Sequence, residues 1–554
     1  MGAVWRNDKS RAGGSKRSPS ADKPGRTRSH GSRLARRMGV FLGVSLLAGG
    51  GYAAWHEMHT SKLQALWLNR YAENLDYQIE PGASSSIQFP DAGPFDRRLG
   101  YAALPTFLER LTQRGFTVQQ QVSFSPALLR YVQRGFFVPY PEKSKAGLTI
   151  DDCRGEPLYA NSYPHQYYES FDDVPPVIAM SLLFIEDRGL LDAGRPRANP
   201  AVDWPRFTMA AVSQVEKKLG LPVQAAGGST LATQVEKYRH SPEGRTGDAE
   251  EKIRQMISAS VRTYREGQQT MVTRQRIVRD YLNSVPLSAA YGHGEVHGIA
   301  DGLRLWYGAD FAEVNRVLDA RRNEGVSYET QGLALRQVLS LLIAQRRPSY
   351  YLGAGRADMA ELTDSHIRLL ANGGVIGTRL RNAALQQQVE FRNLRLEPGI
   401  REVPSSKGIT AARMRLSNLL GVSLYELDRL DLAATTPLHG ELQGQISNYL
   451  HRLADPAFAG EVGLFGERML SPERTGDVRY SFTLFERGEQ GFRVRVQTDN
   501  TNQPFDINEG SKLELGSTAK LRVLTTYLEV IAELHERYAK SDVATLRKAE
   551  AGIR

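Results

Sequence analysis

The chain has 554 residues and 41% of them are hydrophobic, enough for two or three domains with cores of their own. Its formal net charge is +10, but residues 1–37 hold eleven Lys and Arg against Asp8 and Asp22, a net of +9 that leaves +1 for residues 38–554. The positive charge therefore sits on a Ser-, Gly- and Arg-rich tail that reads as disordered, not on a folded face, which argues against a nucleic-acid binder. Cys153 is the single cysteine, so neither an intramolecular disulfide nor a cysteine zinc site can form. A lone cysteine of this kind is expected to be buried packing.

Met38 to Trp55 runs for 18 residues without a charge, directly after Arg33, Arg36 and Arg37. This pattern predicts a single-pass anchor in the cytoplasmic (inner) membrane, with the N-terminus in the cytoplasm and the bulk of the chain outside it. Tyr52 and Trp55 suit the far interface. A cleaved signal peptide is the competing pattern, and the uncleaved anchor is preferred. Leu63, Leu66, Trp67 and Tyr71 keep helical spacing and predict a juxtamembrane helix within 56–80. Residues 86–150 read as a small α+β pedestal, with an amphipathic helix over Tyr101–Phe116 followed by alternating Val118, Val122 and Phe124. Residues 174–385 read as mostly helical, from the rhythm of Ile178, Leu182 and Ile185 and the apolar run Leu335–Ala344. A linker with one helix spans 386–445. Tyr480, Phe482 and Leu484, then Phe492, Val494 and Val496, alternate as strands do, and a helix over Ala519–Tyr538 follows. The expected division is a basic tail at 1–37, the anchor at 38–55, the helix and pedestal at 56–173, the helical domain at 174–385, the linker at 386–445 and a C-terminal module at 446–554.

Four segments of the helical domain carry chemistry. Glu186-Asp187-Arg188 ends an apolar helix. Gly227-Gly228-Ser229-Thr230 leads to Gln234 and Lys237; glycines admit a ligand to the backbone, and hydroxyls and the amine offer donors to an anion. Glu251-Lys252-Ile253-Arg254-Gln255 places Glu251 and Gln255 on one helix face. Arg276-Ile277-Val278-Arg279-Asp280-Tyr281-Leu282-Asn283 is followed by Gly298-Ile299-Ala300-Asp301 and Trp306-Tyr307-Gly308. Taken singly, each reads as ordinary helix surface and core. Their order and spacing resemble the peptidoglycan glycosyltransferases of glycosyltransferase family 51, whose pattern runs E-D-x-x-F, G-G-S-T-I-T-Q-Q-L-A-K, R-K-x-x-E and I-L-E-x-Y-L-N. The resemblance continues at Leu341–Tyr350 and Leu369–Ile376 and covers about 174–385.

The resemblance implies a mainly α, lysozyme-like domain lying against the membrane. It implies polymerisation of lipid II into β-1,4 glycan strands, with inversion at the donor anomeric carbon. By position, Glu186 is the general base and Asp187 holds or polarises the site, with Glu251 and Gln255 as candidates for the second catalytic position. Lys237 with Gly228, Ser229, Thr230 and Gln234 would line the diphosphate, and Lys252 and Arg254 would add to it. Arg188 and Asn283 complete the expected substrate-binding set. The family further suggests Mg²⁺ or another divalent cation on the substrate pyrophosphate and no organic cofactor. Expected partners are lipid II, the nascent glycan strand, the membrane and other wall-synthesis proteins, and no nucleic acid.

The sequence departs from that pattern. The second catalytic Glu falls on Gln255, which cannot take a proton. The Arg of the same motif falls on Glu251, the Phe of the first on Leu190, and the Glu before Tyr-Leu-Asn on Arg279. Either Glu251, one turn back on the same face, replaces the lost carboxylate, or the site is divergent. Residues 433–449 resemble the start of a penicillin-binding transpeptidase domain, and Ser517 and Lys520 fit its S-x-x-K acylation motif. The S-x-N and K-T-G partners are absent, so an incomplete α/β transpeptidase domain is expected. A non-catalytic lipid-II-binding or scaffold protein is the alternative reading. A lytic enzyme fits less well, because the donor cluster suits a diphosphate.

Overall fold

The computed structural model describes Phe41, Ser45, and residues 48–91, 93–204, 229–395, 407–489, 491–501, 503, 506–510, 512, 514 and 516–549. Gly227, Gly228 and most of 38–47 lie outside the described residues. Met1–Gln64 and Ala65–Arg554 form two compact units. In the first, residues 48–60 are helical. No helix among the described residues is long and apolar enough to cross a membrane.

Residues 62–133 combine helices with a pair of strands. Helix α1 (Lys62–Glu73) precedes strand β1 (Tyr77–Pro81), which pairs antiparallel with β2 (Gln120–Phe124). Helix α2 (Pro126–Gln133) starts at Ser125, whose hydroxyl accepts from the Leu128 N–H. Leu75, Phe124, Leu128, Tyr131 and Val261 form its small core. The helix expected over Tyr101–Phe116 is a 3₁₀ turn (Tyr101–Ala103) followed by an α-helix (Leu104–Thr112). Strands β3 (Leu148–Asp151) and β4 (Pro157–Ala160) make a hairpin. Cys153 is exposed in the turn between them, contrary to expectation. The turn uses its backbone: the Cys153 N–H donates to the Leu438 carbonyl at 2.9 Å, and the thiol packs into nothing.

Helix α3 (Pro176–Glu186) opens on a proline and is apolar nearly throughout, so it runs through the core. Helices α4 (Leu231–His240), α5 (Ala249–Tyr264) and α6 (Met271–Ser284) follow, then the hairpin of β5 (Pro286–Ala290) and β6 (Gly294–His297). Helices α7 (Tyr328–Ala344), α8 (Arg356–Asn372) and α9 (Thr378–Gln386) close the domain. Its core holds Ile178, Leu182, Leu231, Val278, Leu282, Ile299, Leu335, Leu339 and Leu342. Burying each such side chain contributes about 1.5–3 kcal/mol. Helix α7 lies at the centre, and Gly332 lets it meet α9 closely: a Cβ there would come within 2.7 Å of the Ala384 nitrogen. Arg274, 1% exposed, donates to the carbonyls of Leu190, Asp192 and Arg195 and fastens the loop that follows Glu186.

Past that domain come α10 (Lys407–Leu420), β7 (Leu432–Thr435), α11 (Gly440–Arg452), the antiparallel pair β8 (Ser481–Gly488) and β9 (Gly491–Asp499), and α12 (Thr518–Tyr538). Strand β7 pairs in parallel with β3, giving the sheet order β4-β3-β7. The Gln443 side chain on α11 exchanges two hydrogen bonds with the Gln497 backbone on β9. Helix α12 buries no residue.

A buried ionic network ties the pedestal to α4. Glu142 receives Arg239 at 2.6 Å, Arg262 at 2.7 Å and His240 at 2.7 Å. The other His240 nitrogen lies 2.9 Å from Asp96, and Arg262 also bonds Glu236 at 2.7 Å. Burial alone would push the His240 imidazole down, but Glu142 and Asp96 outweigh it and raise it to about 10. Burial opposes ionisation of Glu142 as well, yet Arg262, His240 and Arg239 hold its carboxyl well below the usual range. Glu142→Ala is therefore expected to cost about 3–5 kcal/mol, because it removes the carboxylate that three cations share; denaturant unfolding measures it. His240 binds its proton more tightly folded than unfolded. Its contribution is complete below about pH 6.5 and is lost as pH rises through about 10. The melting temperature of the wild type should fall across that window more steeply than that of His240→Gln.

Candidate active site

Glu186 is the last helical residue of α3; Asp187 leaves helical geometry at φ −158° and ψ 78°. The negative end of the helix dipole disfavours a carboxylate there by about 0.3–1 kcal/mol. Donors from other elements offset this. Gln234 Nε2 on α4 donates to Glu186 Oε2 at 3.0 Å, and Gln345 Nε2 just past α7 reaches Oε1 at 3.4 Å. The Arg346 guanidinium stands 3.8 Å from Oε1. The Tyr238 hydroxyl lies 2.8 Å from Gln345 Oε1 and 3.2 Å from Gln234 Oε1, so it orients both amides. The Glu186 side chain is 15% exposed, open enough to meet a ligand.

Helix α4 supplies the other wall. Thr230 caps it reciprocally with Thr233: the Thr230 N–H donates to Thr233 Oγ1 at 3.0 Å, and the Thr233 N–H to Thr230 Oγ1 at 3.3 Å. Thr230 thus serves the helix start. Ser229, one residue earlier, and Thr233 both accept from Lys252 Nζ on α5, at 2.9 and 3.3 Å. Lys237 lies one turn past Thr233, its amine 4.4 Å from the Tyr238 ring centroid. Burial lowers the Lys237 amine, with the Glu186 carboxylate opposing. Burial, and then the positive charge of Lys237, lower Lys252 to about 8. Among the described residues neither lysine forms an ion pair with a carboxylate. Two half-buried amines beside a carboxylate, rimmed by hydroxyls, make a place for an anionic group.

The remaining residues singled out in the sequence lie apart from this cluster. Gln255 is 1% exposed and its amide is spent on Ser241 at 3.0 Å and Thr246 at 3.0 Å. Glu251 pairs with Arg254 at 3.0 Å, and its Oε1 is buried without a hydrogen-bond partner. Arg254 turns toward the pedestal, beside Gly135. Arg188 folds back over the Phe184 ring, 3.8 Å from its centroid, and is exposed. Asn283 is buried and clamps the Tyr168 backbone through two hydrogen bonds. Ser517 stands at the start of α12, three residues before Lys520; both are exposed. Tyr238, Gln345 and Arg346 join the cluster without having been expected there. Their sequence signal is slight: the run Gln345-Arg346-Arg347 directly after the buried end of α7.

Residues 154–369 match the family model described as Transglycosylase. Over this stretch the chain is similar to the transglycosylase family, and Glu186, Gln234, Lys237, Lys252, Gln345 and Arg346 all fall inside the matched residues. Among curated proteins none matches the chain.

If Lys237 and Lys252 face one another as described, removing one charge must relieve the other. Lys237→Met should move the Lys252 amine from about 8 part of the way toward the ordinary lysine value. Lysine labelling at graded pH, read by mass spectrometry, measures it; an unmoved amine would contradict the facing geometry.

Proposed function

We propose that the chain is a peptidoglycan glycosyltransferase that polymerises lipid II into β-1,4 glycan strands at the outer face of the cytoplasmic membrane. One observation carries this reading: Glu186 and the paired amines of Lys237 and Lys252 share a site built by α3, α4 and α5. The acceptor sugar's 4-hydroxyl attacks the donor anomeric carbon and loses its proton to Glu186 as the new bond forms. The bond from that carbon to the lipid diphosphate breaks with inversion, and the electron pair leaves on the diphosphate oxygen. Lys237 and Lys252 lie where that negative charge grows, with Ser229 and Thr233 as hydroxyl partners. Gln234 and Gln345 hold the Glu186 carboxylate in one orientation. Asp187 follows the base in sequence and belongs to the same site in this reading. Gln255, whose amide is engaged by Ser241 and Thr246, plays no part in the proton transfer.

Among the described residues no three His, Cys, Asp or Glu side chains are grouped to hold a metal ion. Lys237 and Lys252 supply positive charge to the diphosphate, and a divalent cation carried by the substrate pyrophosphate would add to it. The charge-free run Met38–Trp55 after three arginines supports a membrane anchor, which suits a lipid-linked substrate. The hairpin β8–β9 and the Ser517–Lys520 pair fit the beginning of a penicillin-binding transpeptidase module, with both side chains exposed.

Labelled lipid II resolved as glycan chains on a gel tests the reading. Glu186→Gln should reduce polymer formation by about 10²–10⁴-fold, the loss of a general base. Lys237→Met should reduce it by about 10²–10³-fold, the loss of one charge-stabilising donor. Binding of lipid II without polymer from the wild type would overturn the catalytic reading.

A further inference from the structure

A second cationic cluster gathers at the turn of the β5–β6 hairpin, around His293 and Arg429. Arg429 is 5% exposed, and its guanidinium is stacked between Tyr163 and Tyr425, at 4.0 and 3.7 Å from their ring centroids. It donates to the His293 carbonyl at 2.5 Å and to the Tyr425 carbonyl at 3.2 Å. Among the described residues it has no carboxylate partner. The His293 ring packs 5.6 Å from His165 and 5.7 Å from Tyr163. Arg304 approaches the same group from the helix after the hairpin.

The donors here exceed the acceptors. Among the described residues Arg304 Nε and Nη2 are buried without a hydrogen-bond partner, as is His293 Nε2, a donor in the tautomer protonated there. The carboxylate nearest Arg304 is Asp301, at 3.7 Å, and its oxygens already accept from the His165 and Gln166 backbone N–H groups. Glu295, the other local carboxylate, turns outward to His297, with its side chain 63% exposed. An unpaired buried donor destabilises the fold, more so when it is charged. Burial, then Arg429, His165, Arg304 and His297, push the His293 imidazole down to about 3, as expected where positive charge is in surplus. His165 is exposed at the edge, so the cluster opens to solvent.

We propose that Arg304, His293 and Arg429 form a binding site for a phosphoryl group, separate from the Glu186 site. A tetrahedral dianion presents oxygens to the Arg304 fork and to the His293 nitrogen together, which a planar carboxylate serves less well. The phosphoryl group is supplied either as free phosphate or as a lipid headgroup.

Calorimetric titration tests this on the full chain in detergent, in the Lys237→Met/Lys252→Met background so that the other anionic site is silent. The probes are inorganic phosphate, dihexanoyl phosphatidic acid and acetate. Saturable binding of phosphate at least as tight as the phosphatidic acid supports a free-phosphate site, and tighter binding of the phosphatidic acid supports a headgroup site. Arg304→Gln should weaken either by about tenfold or more, the loss of one charge-assisted contact. His293→Gln is the second variant, and melting in phosphate-free buffer checks that both fold. No saturable binding of either phosphate probe, acetate bound as tightly, or unchanged affinity in both folded variants overturns the proposal.

Discussion

Glu142 accepts three cations at once inside the protein, and the position of helix α4 follows from it. Arg239 and His240 stand at the C-terminal end of that helix, and Arg262 on α5 completes the set. Contacts of 2.6–2.7 Å around a buried carboxylate tolerate little displacement, because any cation left behind is stranded out of water. The end of α4 is therefore held to the pedestal. Lys237 and Gln234, within one and two turns of that end on the same rigid element, inherit that placement. A module without chemistry of its own sets the geometry of the site through charge.

The other half of α4 inverts that logic. Lys237 and Lys252 are half-buried near one another with hydroxyls and, among the described residues, no paired carboxylate, which costs stability. Glu186 sits at the unfavourable end of its helix dipole. Both features are local conflicts of the kind that well-packed proteins retain where a ligand completes the set. Donors fixed in advance need not reorganise when charge develops on a leaving group.

The sequence was informative where chemistry and periodicity coincide. Glu186, Gln234, Lys237, Ser229 and Lys252 are legible because motif spacing places them together, and the structure shows Glu186 bonded to Gln234 and Ser229 to Lys252. Asn283 and Gln255 belong to equally good motifs, yet their amides satisfy buried backbone and hydroxyl groups. An amide that clamps a backbone and one that touches a substrate look alike in a string of letters. Tyr238, Gln345 and Arg346 escaped notice because their role depends on how α7 crosses α4, which no local pattern encodes. Cys153 was expected in the interior, but the turn that holds it is built by backbone hydrogen bonds.

The pairing of β3 with β7 was equally invisible: a four-residue strand finds a parallel partner about 280 residues away. One outcome concerns synthesis. At about 5–20 residues per second, the ribosome needs roughly 15–60 s to deliver β7 after β3 has emerged. During that interval the outer edge of β3 has its backbone groups unpaired while the whole helical domain is being made. Open edges invite pairing with other chains. The nascent polypeptide thus passes through a stage at which a chaperone, or prompt closure of the β3–β4 hairpin against the pedestal, decides between assembly and aggregation.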